Sequence, residues 1–184
     1  MTIAADRQTK TEVKQFSIIW ARIGIRVLTV AAFMLSPTAA LTANEQPSYL
    51  AVGVGYAGVI RPPAAWVENL EYRWHEQFLA GISPKVVIGL THGASYFNAS
   101  LYRSWRLREN WRITIASGPG FFERDLSAEN LGSHIEFLSG IEISRDFYRG
   151  QRLGVAFQHI SNAHLGRSNP GSEVLQLTYQ IPIY

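Results

Sequence analysis

From Tyr49 to the end of the chain, apolar and polar residues alternate with a period of two, and no segment beyond Ala43 keeps a helical period. A period of two belongs to strands whose two faces meet different surroundings. Segment 66–78 is the clearest case. Trp66, Leu70, Tyr72, Trp74 and Phe78 share one face and Asn69, Glu71, Arg73, His75 and Gln77 the other, with Glu68 and Glu76 interrupting the apolar face near its ends. Segment 134–144 repeats the design, setting Ile135, Phe137, Ile141 and Ile143 against His134, Glu136, Glu142 and Ser144. The pattern predicts eight strands, at about 49–60, 65–78, 85–96, 99–108, 111–122, 133–144, 151–162 and 173–184. Breakers separate most of them: Pro62-Pro63, the stretch 81–84, Glu109-Asn110, Arg149-Gly150 and Asn169-Pro170-Gly171.

The N-terminus follows another rule. Arg7, Lys10, Lys14, Arg22 and Arg26 lead into an apolar run at 27–35, and small residues follow to Ala43. This is the layout of a secretory signal peptide over 1–43, cleaved after about Ala40 or Ala43, and it leaves 44–184 as one barrel domain. The apolar run is shorter than the roughly 20 residues that a membrane-spanning helix needs. The charge balance changes with it. The whole chain has 17 basic and 14 acidic residues, but positions 1–40 hold five and two of them, so twelve of each sign remain. The basic character belongs to the export segment, and a nucleic-acid partner loses its motivation. With no cysteine in the chain, disulfides and thiol chemistry are excluded.

Alternation does not say which face meets water. In a soluble sandwich the apolar face turns inward. In a membrane barrel it turns out to lipid, and the sheet must close on itself because lipid offers no hydrogen bonds. The export signal, the even strand count, the aromatics near strand ends and the final aromatic Tyr184 favour the second case. The expected fold is all-β, an eight-stranded antiparallel transmembrane β-barrel, with a soluble β-barrel or sandwich as the alternative. Trp66, Trp74, Trp105 and Trp111 then form interfacial girdles, while Glu71, Arg73, Arg112, Glu136 and Glu142 fill the interior.

On the seventh predicted strand Leu153, Val155 and Phe157 share the lipid face, and steps of two along it reach His159 and Ser161. On the eighth, Leu175, Leu177, Tyr179, Ile181 and Ile183 share a face that reaches back to Glu173. A hairpin opposing His159 to Glu173 places Ser161 opposite Gly171 and gathers a base, a nucleophile and a carboxylate on a greasy surface. Taken alone, a histidine and a serine two apart on a strand are ordinary. The shared lipid-side phase with Glu173 is what singles them out, because polar groups facing lipid are costly.

The pattern His159-x-Ser161-Asn162-Ala163, with Glu173 fourteen residues after the histidine, resembles the lipid A 3-O-deacylases of the PagL type. Leu131-Gly132-Ser133 and the ending Gln180-Ile181-Pro182-Ile183 look like that family too. The resemblance implies an outer-membrane esterase that removes the 3-O-linked 3-hydroxyacyl chain of lipid A, with Ser161, His159 and Glu173 as catalytic residues. It also implies an oxyanion hole from the Asn162 side chain and the His164 backbone, and an aromatic beside the substrate at Phe121 or Phe122, of which counting back from Leu131 favours Phe121. No metal and no organic cofactor are expected. The partners expected are lipopolysaccharide and the outer membrane, with a homodimer left open. His164 departs from the pattern, which has glycine there. A non-enzymatic barrel, or a phospholipase or acyltransferase acting on glycerolipids, stands as the alternative.

Other motifs have simpler readings. Gly53-Val54-Gly55-Tyr56-Ala57-Gly58 matches a dinucleotide fingerprint but has no helix after it, and small residues inside a narrow barrel explain it better. His75, His92 and His134 lack ligand spacing and are expected in interior hydrogen-bond networks. Arg103, Arg106 and Arg108 read as periplasmic-rim charges, and Arg124 and Arg167 as outer-loop residues near lipid A phosphates.

Overall fold

The structure, a computed structural model, describes residues 47–60, 64–77, 81–124, 130–166 and 168–184. The chain divides into two units, Met1–Ala43 and Asn44–Tyr184, and every described residue belongs to the second. The signal peptide and its cleavage site, Phe78 and Arg167 therefore lie outside the described residues.

Eight strands form the barrel: β1 Ser48–Ala57, β2 Ala65–Arg73, β3 Ile82–Thr91, β4 Ala94–Arg108, β5 Trp111–Arg124, β6 Ile135–Asp146, β7 Arg152–Ser161 and β8 Ser172–Ile183. Each pairs antiparallel with its sequence neighbour, and β1 closes on β8, with Val52 opposite Tyr179. A single 3-10 turn, Tyr148–Gly150, links β6 to β7. Closure leaves no open edge, as a sheet in hydrocarbon requires.

The third and fourth strands differ most from expectation. β3 starts at Ile82 and includes Pro84, which the sequence reading placed in a turn. β2 has already ended at Arg73, so Pro84 sits where only one side of the strand is paired. The Trp74 N–H still donates to the Pro84 carbonyl at 3.1 Å. The return bond that proline cannot make is replaced by the Tyr102 hydroxyl, which donates to the Trp74 carbonyl at 2.7 Å. The turn into β4 falls at His92-Gly93 instead of beyond residue 96.

The faces divide as the alternation predicts. Glu71, Arg73, Asn98, Glu142, Gln176 and Gln180 are buried inside, while Ile88, Phe97, Leu101, Ile115, Val155 and Leu177 are exposed on the outer wall. An eight-stranded barrel has just enough interior for side chains to fill it. A methyl group at Gly53 would come within 2.3 Å of Asn69 Oδ1, so the small residues of β1 are there for room. The centre is a charge network. Arg73 grips Glu142 with two hydrogen bonds of 3.0 and 2.8 Å and also donates to Glu71. Lys85 donates to Glu71 at 3.0 Å, and Thr178 and Gln180 donate to Glu142 at 3.1 and 2.7 Å. Two cations thus answer two carboxylates.

The barrel has two unlike ends. One, the loop end, carries the connections 125–134 and 162–171; the other, the turn end, carries the two-residue turn at 109–110 and the outer ends of β1 and β8. An apolar plug of Val67, Tyr96, Phe122, Leu131, Ile160 and Val174 closes the interior toward the loop end. His75, His92 and His134, expected inside, are all exposed. β2 ends before His75, β3 before His92, and β6 starts after His134, so none of them lies within a paired strand.

Candidate active site

β7 and β8 pair with His159 opposite Glu173. Both side chains leave the barrel on its outer wall, in phase with Val155, Phe157, Leu175 and Leu177. His159 Nδ1 lies 3.4 Å from Glu173 Oε1. The imidazole is 45 % exposed and the carboxylate 8 %. Glu173 is covered because the imidazole lies over it and the chain after β1 crosses nearby, where the Val59 N–H donates to the Glu173 carbonyl at 3.4 Å. Its second oxygen, Oε2, has no hydrogen-bond partner among the described residues. Gly171, at φ +65°, leaves the space the ring needs: a Cβ there would stand 2.9 Å from His159 Cε1.

Ser161 ends β7 on the same face, two residues above the histidine. No hydrogen bond joins its hydroxyl to His159 among the described residues. Catalytic hydrogen bonds are often long before substrate binds, and the strand phase already puts the two groups side by side.

Asn162 and His164, the expected oxyanion donors, are engaged elsewhere. Asn162 is fully buried, and its Nδ2 donates to the carbonyls of Leu131 at 3.0 Å and Ser168 at 2.7 Å. Its Oδ1 accepts the His164 N–H at 2.9 Å, and its own N–H donates to Asn169 Oδ1 at 3.0 Å. In this geometry neither donor is free for a substrate oxygen. The asparagine instead ties the 162–169 loop and the segment before β6 to the end of β7. The tie holds a strained turn, since Ala163 and His164 both have left-handed backbone, at φ 52° and 64°. Glycine would adopt the His164 conformation without steric cost, so the departure from the family pattern has a backbone consequence.

Phe121 lies on the outer wall near the loop end and stacks on His134, with ring centroids 5.7 Å apart. It is two strands away from Ser161. The aromatic directly opposite Ser161 is Phe137 of β6, which the sequence reading took only as part of an apolar face. Ser139 was missed as well. It pairs with His159 on one side and with Ser117 on the other, and the two serine hydroxyls are hydrogen bonded at 2.7 Å. Glu173, His159, Ser139 and Ser117 therefore form one polar row across four strands. Counted from the loop end they are the second, third, fifth and eighth residues of their strands, so the row descends toward the middle of the wall. Where it ends, Ser117, Pro119, Ala99, Leu101, Val86 and Trp74 line a shallow apolar groove of about 470 Å3. Cross-strand register was the missing signal: within its own strand, Ser139 is only a small residue between Phe137 and Ile141.

A lipid-facing serine, histidine and carboxylate on a closed barrel narrow the comparison with known proteins. The family described as Lipid A 3-O-deacylase (PagL) matches residues 49–182. The chain belongs to this family. It is 44 % identical over 55 residues to "Lipid A deacylase PagL" of Pseudomonas aeruginosa, a match over 30 % of this chain that spans about a third (32 %) of that relative's length. Among solved structures, "Crystal structure of the outer membrane enzyme PagL" superimposes with a TM-score of 0.54 at 23 % identity, covering 73 % of this chain and 99 % of that one. Neisserial surface protein A superimposes with a TM-score of 0.55 at 8 % identity, covering 74 % of this chain and 97 % of that one. At these identities both structural likenesses speak for the barrel fold, and the family assignment rests on the sequence match.

Proposed function

We propose that the protein is a lipid A 3-O-deacylase of the bacterial outer membrane, a serine esterase acting on a lipid embedded beside it. The observation that carries this reading is the His159–Glu173 pair on the lipid-facing wall with Ser161 beside it, in a chain of the deacylase family. In this reading the loop end faces outward, since outer-membrane barrels have short periplasmic turns and longer external loops. The site then stands at the outer leaflet, where lipid A presents its acylated sugars.

His159 takes the proton of Ser161 as the serine oxygen attacks the acyl carbonyl. Glu173 holds the imidazole and balances its positive charge. Collapse of the tetrahedral intermediate breaks the bond to the sugar oxygen, which leaves with the proton from His159. Water, activated by the same histidine, then releases the fatty acid from Ser161. Asn162 and the His164 N–H stabilise the oxyanion only if they exchange their loop hydrogen bonds when substrate seats; otherwise their part is to hold the strand end and the turn. The acyl chain hangs toward the bilayer centre, so it follows the descending row past Ser139 and Ser117 into the apolar groove. The hydroxyl of a 3-hydroxyacyl chain finds hydrogen-bonding groups on that path.

The test is the mass profile of lipid A from cells carrying the protein or its Ser161→Ala variant, with the variant confirmed as a folded barrel. Wild type should shorten lipid A by one 3-hydroxyacyl chain, and the variant should fall by at least about a thousandfold in rate. An acyl loss that persists in the variant sinks the mechanism. Purified phospholipid offered beside lipid A decides the substrate: faster phospholipid cleavage would identify a phospholipase.

A further inference from the structure

Seven of the nine described arginines lie at the turn end, opposite the candidate site, and only Arg124 lies at the loop end. Their roles differ. Arg112 and Arg152 bind Asp146 at 3.0 and 2.9 Å, and Arg106 approaches it at 3.7 Å, so that carboxylate is fully engaged. Arg103, Arg145 and Arg149 are exposed and have no carboxylate within ion-pair distance among the described residues. Each lies over an aromatic ring instead. The Arg103 guanidinium is 5.1 Å from the Trp105 ring, Arg145 is 5.9 Å from Trp111 and 6.0 Å from Phe147, and Arg149 is 5.0 Å from Tyr148.

Arg103, Trp105, Trp111 and Arg145 project from the outer wall, in phase with Ile115 and Ile143. A partner that meets them there is a component of the membrane. A guanidinium held near a ring by cation–π attraction makes no hydrogen bond to it, so its N–H groups remain available to a phosphate. The exposed acids described at this end are Glu76 and Glu109, too few to balance the arginines. The charge stands at the leaflet away from the candidate site, so lipid A does not explain it.

We propose that this belt of aromatic-backed arginines binds the headgroups of anionic phospholipids in the inner leaflet of the outer membrane. The inference rests on the barrel and its orientation and is independent of the deacylase chemistry. Such a belt fixes the depth of the barrel and gathers anionic lipid around its turn end.

The test reconstitutes the membrane-extracted protein in phosphatidylcholine vesicles containing brominated phosphatidylglycerol or, in parallel, brominated phosphatidylcholine. Quenching of tryptophan fluorescence reports on lipid beside the barrel's tryptophans, of which Trp105 and Trp111 stand in the belt and Trp66 at the opposite end. Phosphatidylglycerol should compete about fivefold better than phosphatidylcholine, and the ratio should fall to about one in the triple variant Arg103→Gln, Arg145→Gln, Arg149→Gln. Equal quenching curves for wild type, or a fivefold preference surviving in the triple variant, would overturn the proposal. Should that variant fail to form a barrel, salt gives a second reading on the unaltered protein. At 1 M salt the screening length falls to about 3 Å and the preference should collapse, while its persistence would overturn the proposal. Lipid A deacylation in detergent micelles should be unchanged in the triple variant and serves as the folding control.

Discussion

Two polar clusters occupy opposite faces of the same wall. Inside, Arg73 and Lys85 answer Glu71 and Glu142, and Thr178 and Gln180 add hydrogen bonds at 3.1 and 2.7 Å. Outside, His159 and Glu173 stand 3.4 Å apart, and among the described residues neither Glu173 Oε2 nor the Ser161 hydroxyl has a hydrogen-bond partner. In the inner cluster two cations balance two carboxylates and both oxygens of Glu142 are bonded, so that Glu71 Oε1 is the one carboxylate oxygen there without a partner among the described residues, and charge balance is what a structural network needs in a low dielectric. The outer cluster is left unfinished where polar groups are costliest. Polar groups that only support the barrel can all face inward. Under the proposed function, the outer groups face out because they must meet a lipid.

The contrast can be broken by exchanging damage between the two clusters. Ser161→Ala has the largest expected effect, a loss of activity of about a thousandfold or more with the barrel intact. The opposite outcome, an unfolded barrel with little specific effect on turnover, would make Ser161 a structural residue. Arg73→Met should do the reverse. It leaves Glu71 and Glu142 buried with only Lys85 between them, at a cost of about 3–5 kcal/mol. Urea titration in vesicles would show it, and the protein that remains folded should turn over lipid A normally.

Asn162→Ala sharpens the boundary between the clusters, because this residue sits at the site yet is bonded as the interior is. Losing its hydrogen bonds to Leu131, Ser168 and His164 should cost about 1–3 kcal/mol and expose the 162–171 loop to protease. If activity fell while the loop stayed protected, Asn162 would be an oxyanion donor in the working enzyme. The smallest effect is expected for Ser139→Ala: a several-fold rise in KM for 3-hydroxyacyl lipid A, little change in kcat, and no change with an acyl chain lacking the hydroxyl, as befits a single hydrogen bond of about 1 kcal/mol. Equal KM changes for both chains would remove Ser139 from substrate recognition.

The chain by itself determined the strand number, the faces and the phase of the candidate site. A period of two is local, and once closure is assumed the side of every residue follows by counting. That His159, Ser161 and Glu173 share one face of the outer wall was legible for that reason. Local pattern could not find the end of β2, which let Pro84 enter a strand, or the short turn at His92-Gly93. Nor could it find what depends on register between strands: Phe137 opposite Ser161, Ser139 opposite His159, and Arg145 over the Trp111 ring. Hydrogen bonding was least legible of all. The oxyanion donors expected at Asn162 and His164 are bound to the protein itself because the tertiary structure brings the Leu131 and Ser168 carbonyls to the amide. Sequence sets which way a side chain points, since that follows from its neighbours along the strand. What the side chain then touches depends on strands and loops distant in the chain, and only the closed barrel brings those together.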